Sequence, residues 1–225
     1  MNNLSYLAKI TNVDGDKVTL QLKESLNIER LKTIFDGYDG ERQAEIFIKD
    51  PRGFTVEQRK FFFALLNDIY KETGLSIDEM KDYIYSMFRY ATGNNISLSN
   101  QSVSTVDDVS YLTNLVLDFI FEHDIPFKDG YEVPPQNIQY FFYKCVMNRT
   151  CCICGKKNAD IDHFDKALGR RKRKEVDHTE FTFAALCRNH HTEKHQIGIT
   201  EFKNKYHVIG IKLNQDEIKK LRIGG

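Results

Sequence analysis

The chain has 225 residues, of which 41% are hydrophobic and 28% charged, a composition typical of a folded globular protein and not of a disordered one. It contains no apolar run long enough to span a membrane, and its first residues, MNNLSYLAKI, lack the pattern of a signal peptide, so we expect a cytoplasmic protein. In that compartment, five cysteines favour free thiols or metal ligands over disulfides.

Charge is distributed unevenly along the chain. Residues 151–225 contain 16 Lys and Arg against 10 Asp and Glu, a formal charge of +6, which leaves −6 for residues 1–150 because the whole chain has 32 of each. Four of the five cysteines and six of the seven histidines also follow residue 150. The sequence therefore predicts a basic C-terminal module with metal-ligand chemistry.

The first fifty residues are typical of strands. The segment VDGDKVTLQL offers a turn followed by alternating apolar residues at Val18, Leu20 and Leu22, and QAEIFIKD repeats the alternation weakly. Three helices are predicted next, because an apolar helical spacing follows three capping-box patterns: Thr55 with Gln58, Ser76 with Glu79, and Ser104 with Asp107.

Two further segments complete the first 150 residues. The polar stretch ATGNNISLSNQSVST predicts a loop or a short exposed strand pair between the second and third helices. Pro134 and Pro135 are placed to open a fourth helix, which carries Cys145 on its apolar face and leads directly into Cys151.

The C-terminal module begins with a cluster of cysteines, CCIC. Cys151 and Cys154 have the C-x-x-C spacing that brings two sulfurs to one zinc ion, whereas Cys152 fits no such pair. The segment LCRNHH supplies a second short pair, and we predict a structural Zn²⁺ held by Cys151, Cys154, Cys187 and His190. The alternative is a set of buried free cysteines, which is our interpretation of Cys145.

The remaining histidines suggest a second ion. His191 and His195 are four residues apart, so a helix from about residue 188 would place both on one face. A hydrolytic site also needs a base for the attacking water, and two Asp-His dipeptides could supply one: Asp162-His163 and Asp177-His178. The alternative is an exposed polar helix with incidental histidines.

Five consecutive basic residues lie between the two Asp-His dipeptides. They could form an ordinary solvated loop, but their place between candidate catalytic groups favours a clamp for DNA phosphates: Arg170, Arg171, Lys172, Arg173 and Lys174.

Taken in order, CGKKNADIDH, GRRKRKEVDH, LCRNHHTEKHQIG and YHVIGIKL resemble the HNH endonuclease family, and more narrowly the HNH nucleases of phages that infect Gram-positive bacteria. The resemblance implies a zinc-braced ββα-metal module in which His163 is the general base. It also implies a catalytic Mg²⁺, Mn²⁺, Ni²⁺ or Zn²⁺ bound by Asp162, His191 and His195.

Two positions are left open by that resemblance. The middle Asn of the HNH pattern would fall at Thr182, whose hydroxyl can bond the imidazole or a backbone group, but less rigidly. The role of His178 is also open: it is either an accessory ligand for a metal or a phosphate, or a base that competes with His163 for that role.

Residues 40–130 resemble a second family, the lambda phage recombination mediator Orf/NinB. The similar segments are FTVEQRKFFFALLNDIYKETG and STVDDVSYLTNLVLDFIFEHDIPF. This resemblance implies a homodimer that binds single-stranded or branched DNA and acts on DNA coated with a host or phage single-strand binding protein. The candidate DNA contacts are Arg52, Gln58, Arg59 and Lys60, with ordinary solvent-facing residues as the alternative.

The sequence thus predicts an α+β protein in three parts: an Orf/NinB-like DNA-binding domain with a small antiparallel sheet and a helical bundle (1–130), a connecting helix (131–150) and an HNH endonuclease domain (151–225). The expected function is metal-dependent nicking of DNA during phage recombination in the bacterial cytoplasm, without membrane association. One alternative, favoured by Thr182, is a catalytically weak or inactive mediator that uses the zinc module as a scaffold. Another is a packaging or homing HNH enzyme whose first part is only an adaptor.

Overall fold

The structure, a computed structural model, describes residues 6, 8–41, 44, 46, 52–126, 128, 131, 133–169 and 175–224. The chain divides into two compact units, Met1–Phe47 and Ile48–Gly225. Among the residues so described, no helix combines the length and hydropathy needed to cross a membrane.

The first unit contains an antiparallel hairpin and a short helix. β1 (Ala8–Asp14) pairs with β2 (Lys17–Leu22), and Gly15, with φ of 58°, lies in the turn between them. The predicted turn and second strand are therefore confirmed. α1 (Ile28–Ile34), capped by the side chain of Asn27, corrects the expectation that this region holds only strands. The segment QAEIFIKD lies outside the described residues except for two positions, neither of which is in a strand.

The second unit opens with the three predicted helices, α2 (Val56–Thr73), α3 (Ile77–Thr92) and α4 (Val106–Glu122). The first two capping boxes are present as predicted, and Gly74 ends α2 in the left-handed conformation. The third box is one residue later than predicted, at Thr105 and Asp108. Ser104 does not cap α4 because its hydroxyl bonds instead to the backbone N–H of Ser97 and to Ser102.

Between α3 and α4 the chain forms a loop at residues 93–104. The structure, which describes every residue of this loop, assigns no strand there, so the alternative of an exposed strand pair is wrong. Leu98 is buried in the loop and its carbonyl lies 3.5 Å from the Arg59 guanidinium. The loop is therefore held against the start of α2 by an apolar side chain and a polar contact.

α5 (Pro135–Met147) connects the helices to the C-terminal part of the unit and begins at the predicted proline pair. Its buried face carries Phe141, Phe142, Cys145 and Val146, which belong to the same core as α2–α4 and the strands that follow. The Asn137 amide donates to the Ser110 carbonyl at 2.9 Å and so ties α5 to α4. The hydrophobic core is thus continuous across residue 150.

The C-terminal part is a small antiparallel sheet with helices packed against it. β3 (Asp160–His163), β4 (Thr182–Leu186) and β5 (Ile211–Lys212) lie in that order, and β3 pairs with β4 so that His163 faces Phe183. A 3₁₀ turn (His178–Glu180) precedes β4, and α6 (Arg188–Ile197), α7 (Ile199–Tyr206) and α8 (Gln215–Lys220) complete the unit.

Helices combined with small antiparallel sheets confirm the α+β class. The order β3, β4, α6 is the ββα arrangement that the sequence predicted for this module. The three-part division of the chain at residues 130 and 150 stays a prediction.

Candidate metal and catalytic site

Three cysteines and one histidine converge at the base of the ββα arrangement. The ligand atoms of Cys151, Cys154, Cys187 and His190 all lie within 4.8 Å of one another. Cys154 Sγ is 3.8 Å from Cys187 Sγ, and His190 Nδ1 is 3.4 Å from Cys151 Sγ. Four ligands that surround a zinc ion at about 2.0–2.3 Å are separated by distances of this size. The cluster fits the predicted structural Zn²⁺.

Local backbone geometry explains how each pair of ligands forms. Gly155, with φ of 66°, lets the chain turn back so that its N–H donates to the Cys151 carbonyl at 2.9 Å. Cys187 is the N-cap residue of α6, which places His190 on the first helical turn beside it. Cys152 lies outside the cluster, buried in the core, and its N–H donates to the Ala185 carbonyl.

The pKa values of the thiols follow their surroundings. Burial raises the pKa of Cys154 to about 12, and it raises the pKa values of Cys145 and Cys152 well above the ordinary value. Burial also acts to raise the pKa of Cys187, but backbone N–H groups at the start of α6, those of His190 and Asn189, lower it. Cys187 is therefore more ready than Cys154 to give up its proton to a metal ion.

A second cluster lies between β3 and α6. Asp162, His191 and His195 each present a ligand atom within 4.8 Å of the others. His191 Nε2 is 3.3 Å from Asp162 Oδ1 and 3.1 Å from His195 Nε2. One carboxylate oxygen and two imidazole nitrogens form a donor set that suits Mn²⁺, Ni²⁺ or Zn²⁺. The structure thus brings together the three residues predicted to hold the catalytic ion.

Two residues that the sequence did not single out contact this second cluster. Asp160 Oδ2 lies 3.4 Å from His191 Nδ1, on the side of the ring opposite the cluster. The Lys194 ammonium bonds to Asp162 Oδ2. Alternation along β3 places Asp160 and Asp162 on the same face, which is the sequence signal for the first residue. No local signal marks Lys194, because its partner lies 32 residues away.

His163 pairs with another histidine. Its Nε2 lies 3.0 Å from His178 Nδ1, and its ring packs against Phe181 and Phe183. His178 is buried, and a Cβ at Gly224 would lie only 2.2 Å from His178 Nε2, so the C-terminal backbone closes over it. His178 is outside both clusters of candidate metal ligands found in the described part of the chain.

Thr182 does not bond to His163. Its hydroxyl donates to Asp165 and accepts from the Asp165 N–H at 3.3 Å, so it meets a backbone group, which is one of the two alternatives that the sequence left open. Burial raises the pKa of Asp165, but the Lys203 ammonium and the Thr182 hydroxyl outweigh it and lower that pKa. Thr182 therefore fastens the chain just after β3 and does not orient the imidazole.

The candidate DNA contacts differ in exposure. Arg52 and Lys60 are exposed, whereas Arg59 is half-buried and bonds to Asn100 and the Leu98 carbonyl. Gln58 is 0% exposed, and its amide donates to the Val106 carbonyl and the Ser110 hydroxyl. This burial is a correction, because Gln58 has no surface to offer a nucleic acid. Another predicted contact set, the basic run, lies outside the described residues: Arg170, Arg171, Lys172, Arg173 and Lys174.

Comparison with known proteins gives one match. The family described as "Putative HNHc nuclease" matches residues 2–224, which include the first unit as well as both metal clusters. Searches of curated proteins and of solved structures return no significant match.

Proposed function

The chain belongs to the HNHc nuclease family, and we propose that it is a DNA endonuclease that nicks one strand by metal-dependent hydrolysis. The observation that carries the proposal is the convergence of Asp162, His191 and His195 on one side of β3, next in sequence to His163. A cation at these three ligands, when bound, would stabilise the negative charge that develops on the scissile phosphate and the leaving 3′ oxygen.

His163 is proposed as the general base that takes a proton from the attacking water. A neutral imidazole titrates near neutral pH and can accept that proton if one ring nitrogen keeps its lone pair. His163 Nε2 lies 3.0 Å from His178 Nδ1, close enough for a hydrogen bond between the two rings. His178 thereby holds the ring of His163 in one orientation, a task that Thr182 does not perform.

The test is a supercoiled-plasmid assay with Mg²⁺, Mn²⁺ and Ni²⁺. The wild type should convert plasmid to open circles that DNA ligase can reseal. Hydrolysis that breaks the bond between phosphorus and the 3′ oxygen leaves 5′-phosphate and 3′-hydroxyl ends. His163→Ala should remain folded and lose at least about a hundredfold in rate. His123→Ala, which changes an exposed histidine at the end of α4, is the matched control and should cut normally.

Two results would contradict the proposal. A wild type that is inert with all three metals would favour the mediator without catalysis, whereas His163→Ala cutting at the wild-type rate would show that the proposed site does not carry the cutting. The cutting rate of His178→Ala should lie between the rates of the wild type and of His163→Ala, since loss of His178 disturbs the orientation of the base but leaves the base in place.

We further propose that the start of α2 binds single-stranded DNA, which would couple nicking to phage recombination. The support is the exposure of Arg52 and Lys60 near the N-terminus of α2, the positive end of the helix dipole. The same proposal includes a recombination domain over residues 1–130 and pairing as a homodimer. It also includes action beside a single-strand binding protein and a place in the bacterial cytoplasm.

The single-strand claim is tested on the full chain by fluorescence anisotropy with a labelled oligonucleotide. Lys60→Glu should weaken binding severalfold, and more so at low salt. Lys71→Glu, at the other end of α2 and also exposed, is the matched control and should have little effect. Equal affinities for wild type and Lys60→Glu would remove the claim without affecting the nuclease proposal.

A further inference from the structure

Lys194 is an unusual residue because a lysine ammonium is rarely enclosed unless it is paired. Its side chain is 8% exposed, although α6 is otherwise mostly polar and exposed. Its Nζ lies over the buried ring of Phe164, 5.0 Å from the ring centroid. An ordinary surface lysine would keep its ammonium in water. The fold instead holds the Lys194 ammonium among protein groups.

The Lys194 ammonium lies at the junction between the metal ligand and the base. Nζ bonds to Asp162 Oδ2 and lies 3.4 Å from the His163 carbonyl oxygen. One ammonium therefore contacts two consecutive residues, the side chain of the first and the backbone of the second.

The two oxygens of Asp162 have different partners. Oδ1 faces His191 Nε2 at 3.3 Å, inside the cluster of metal ligands, and Oδ2 is held by Lys194. The carboxylate is only 12% exposed, so it has little freedom to turn both oxygens toward one ion.

We propose that Lys194 is a positioning residue that restricts Asp162 to one metal-binding oxygen and weakens its attraction for the ion. This inference rests on the proposed nuclease function, because it assigns the Asp162 cluster to the catalytic ion. The lysine neutralises part of the carboxylate charge, so metal binding is weaker than an unpaired Asp162 would give. It fixes the carboxylate angle and the His163 backbone together, so turnover is faster.

These two effects have opposite signs, which separates the proposal from a purely structural role. A lysine that only packed the core would, when replaced, loosen the site and weaken both metal binding and catalysis. Removal of a charge that competes for Asp162 should instead tighten metal binding while turnover falls.

The test compares the wild type with Lys194→Met, which keeps most of the length and the apolar part of the side chain but removes the charge. Mn²⁺ binding to the zinc-loaded protein is measured by calorimetry without DNA, since Mn²⁺ competes poorly for thiolate ligands. We expect at least about tenfold tighter Mn²⁺ binding, which is the size of the repulsion between one charge and a nearby dication even at the dielectric constant of water. In the plasmid assay, kcat should fall at least about tenfold with KM for DNA nearly unchanged.

Lys203→Met is the matched control. Lys203 also lies over the Phe164 ring, at 5.6 Å, and pairs with a carboxylate, Asp165, that is not in the cluster of metal ligands. This variant should leave Mn²⁺ affinity and kcat close to wild type. If Lys194→Met does not fold, Lys194→Gln, which retains a hydrogen-bond donor without a charge, should show the same tighter binding.

Unchanged or weaker Mn²⁺ binding in a folded Lys194 variant would overturn the proposal, and so would absence of Mn²⁺ binding to the wild type. A wild type that binds Mn²⁺ but cuts no DNA would contradict only the nuclease function. The binding measurement would still decide whether Lys194 acts on Asp162.

Discussion

The zinc cluster offers a sharp test, because two neighbouring cysteines should behave oppositely. Cys154 is a proposed ligand that is only half-buried, so Cys154→Ala removes a thiolate without opening a large cavity in the core. Cys152 is buried but lies outside the cluster, so Cys152→Ser is its control.

Binding of a structural zinc contributes about 10–16 kcal/mol in small zinc domains, as much as the whole stability of about 5–15 kcal/mol of an ordinary protein. Loss of one of four ligands should therefore cost roughly 3–4 kcal/mol, about a quarter of the zinc contribution. For a unit of this size that corresponds to a fall in Tm of about 6–16 °C. Cys152→Ser should cost about 1–2 kcal/mol, since it buries a hydroxyl in place of a thiol.

The assay combines zinc content, measured by mass spectrometry of the metal, with hydrogen exchange. Cys154→Ala should hold less than one zinc per chain and exchange faster in β4 and α6, whereas α2 stays protected by the helical core. Cys152→Ser should keep one zinc per chain. Full zinc content and unchanged protection in Cys154→Ala would refute the assignment of this cluster as a zinc site.

Two other variants test how the fold uses particular polar groups. Gln58→Ala should lower stability by about 2–3 kcal/mol in a thermal melt, because it removes half of a capping box and the two hydrogen bonds that the buried amide donates to the Val106 carbonyl and the Ser110 hydroxyl. Lys60→Ala, two residues on and exposed, should change stability by less than about 0.5 kcal/mol. Asp160→Asn should weaken Mn²⁺ binding about tenfold in calorimetry, because His191 loses the carboxylate that orients its ring, and equal affinity would show that Asp160 has no such role.

The features that the sequence predicted well depend on local spacing. Capping boxes and apolar periodicity located α2, α3 and α4, and the C-x-x-C and C-x-x-H spacings identified all four residues of the zinc cluster. His191 and His195 were grouped because four residues are about one helical turn. Each of these signals is contained in a segment of a few residues, where chain geometry leaves little choice.

The features that were missed depend on neighbours remote in sequence or on a choice between adjacent residues. Ser104 and Thr105 are both good N-cap residues, and the hydrogen bonds of the preceding loop decide between them. Gln58 is not available as a DNA contact, because its amide is buried against α4, a neighbour 48 residues away that no local pattern indicates. Lys194 has no local signal, because only the folded sheet brings its ammonium to Asp162.

His163 is the last residue of β3, and this position lets the proposed base and the proposed metal ligand Asp162 point to opposite faces of the strand without being separated by the sheet. Side chains alternate along a strand, and accordingly Asp162 faces α6 whereas the His163 ring packs beside Phe181 and Phe183. Had the base been in the middle of β3, the sheet would separate it from the metal ligands. At the last residue of the strand, the proposed base lies where the sheet ends, next in sequence to the proposed metal ligand Asp162. His178, which lies beyond the strand, contacts His163, and in our proposal it orients the base without an Asn at position 182.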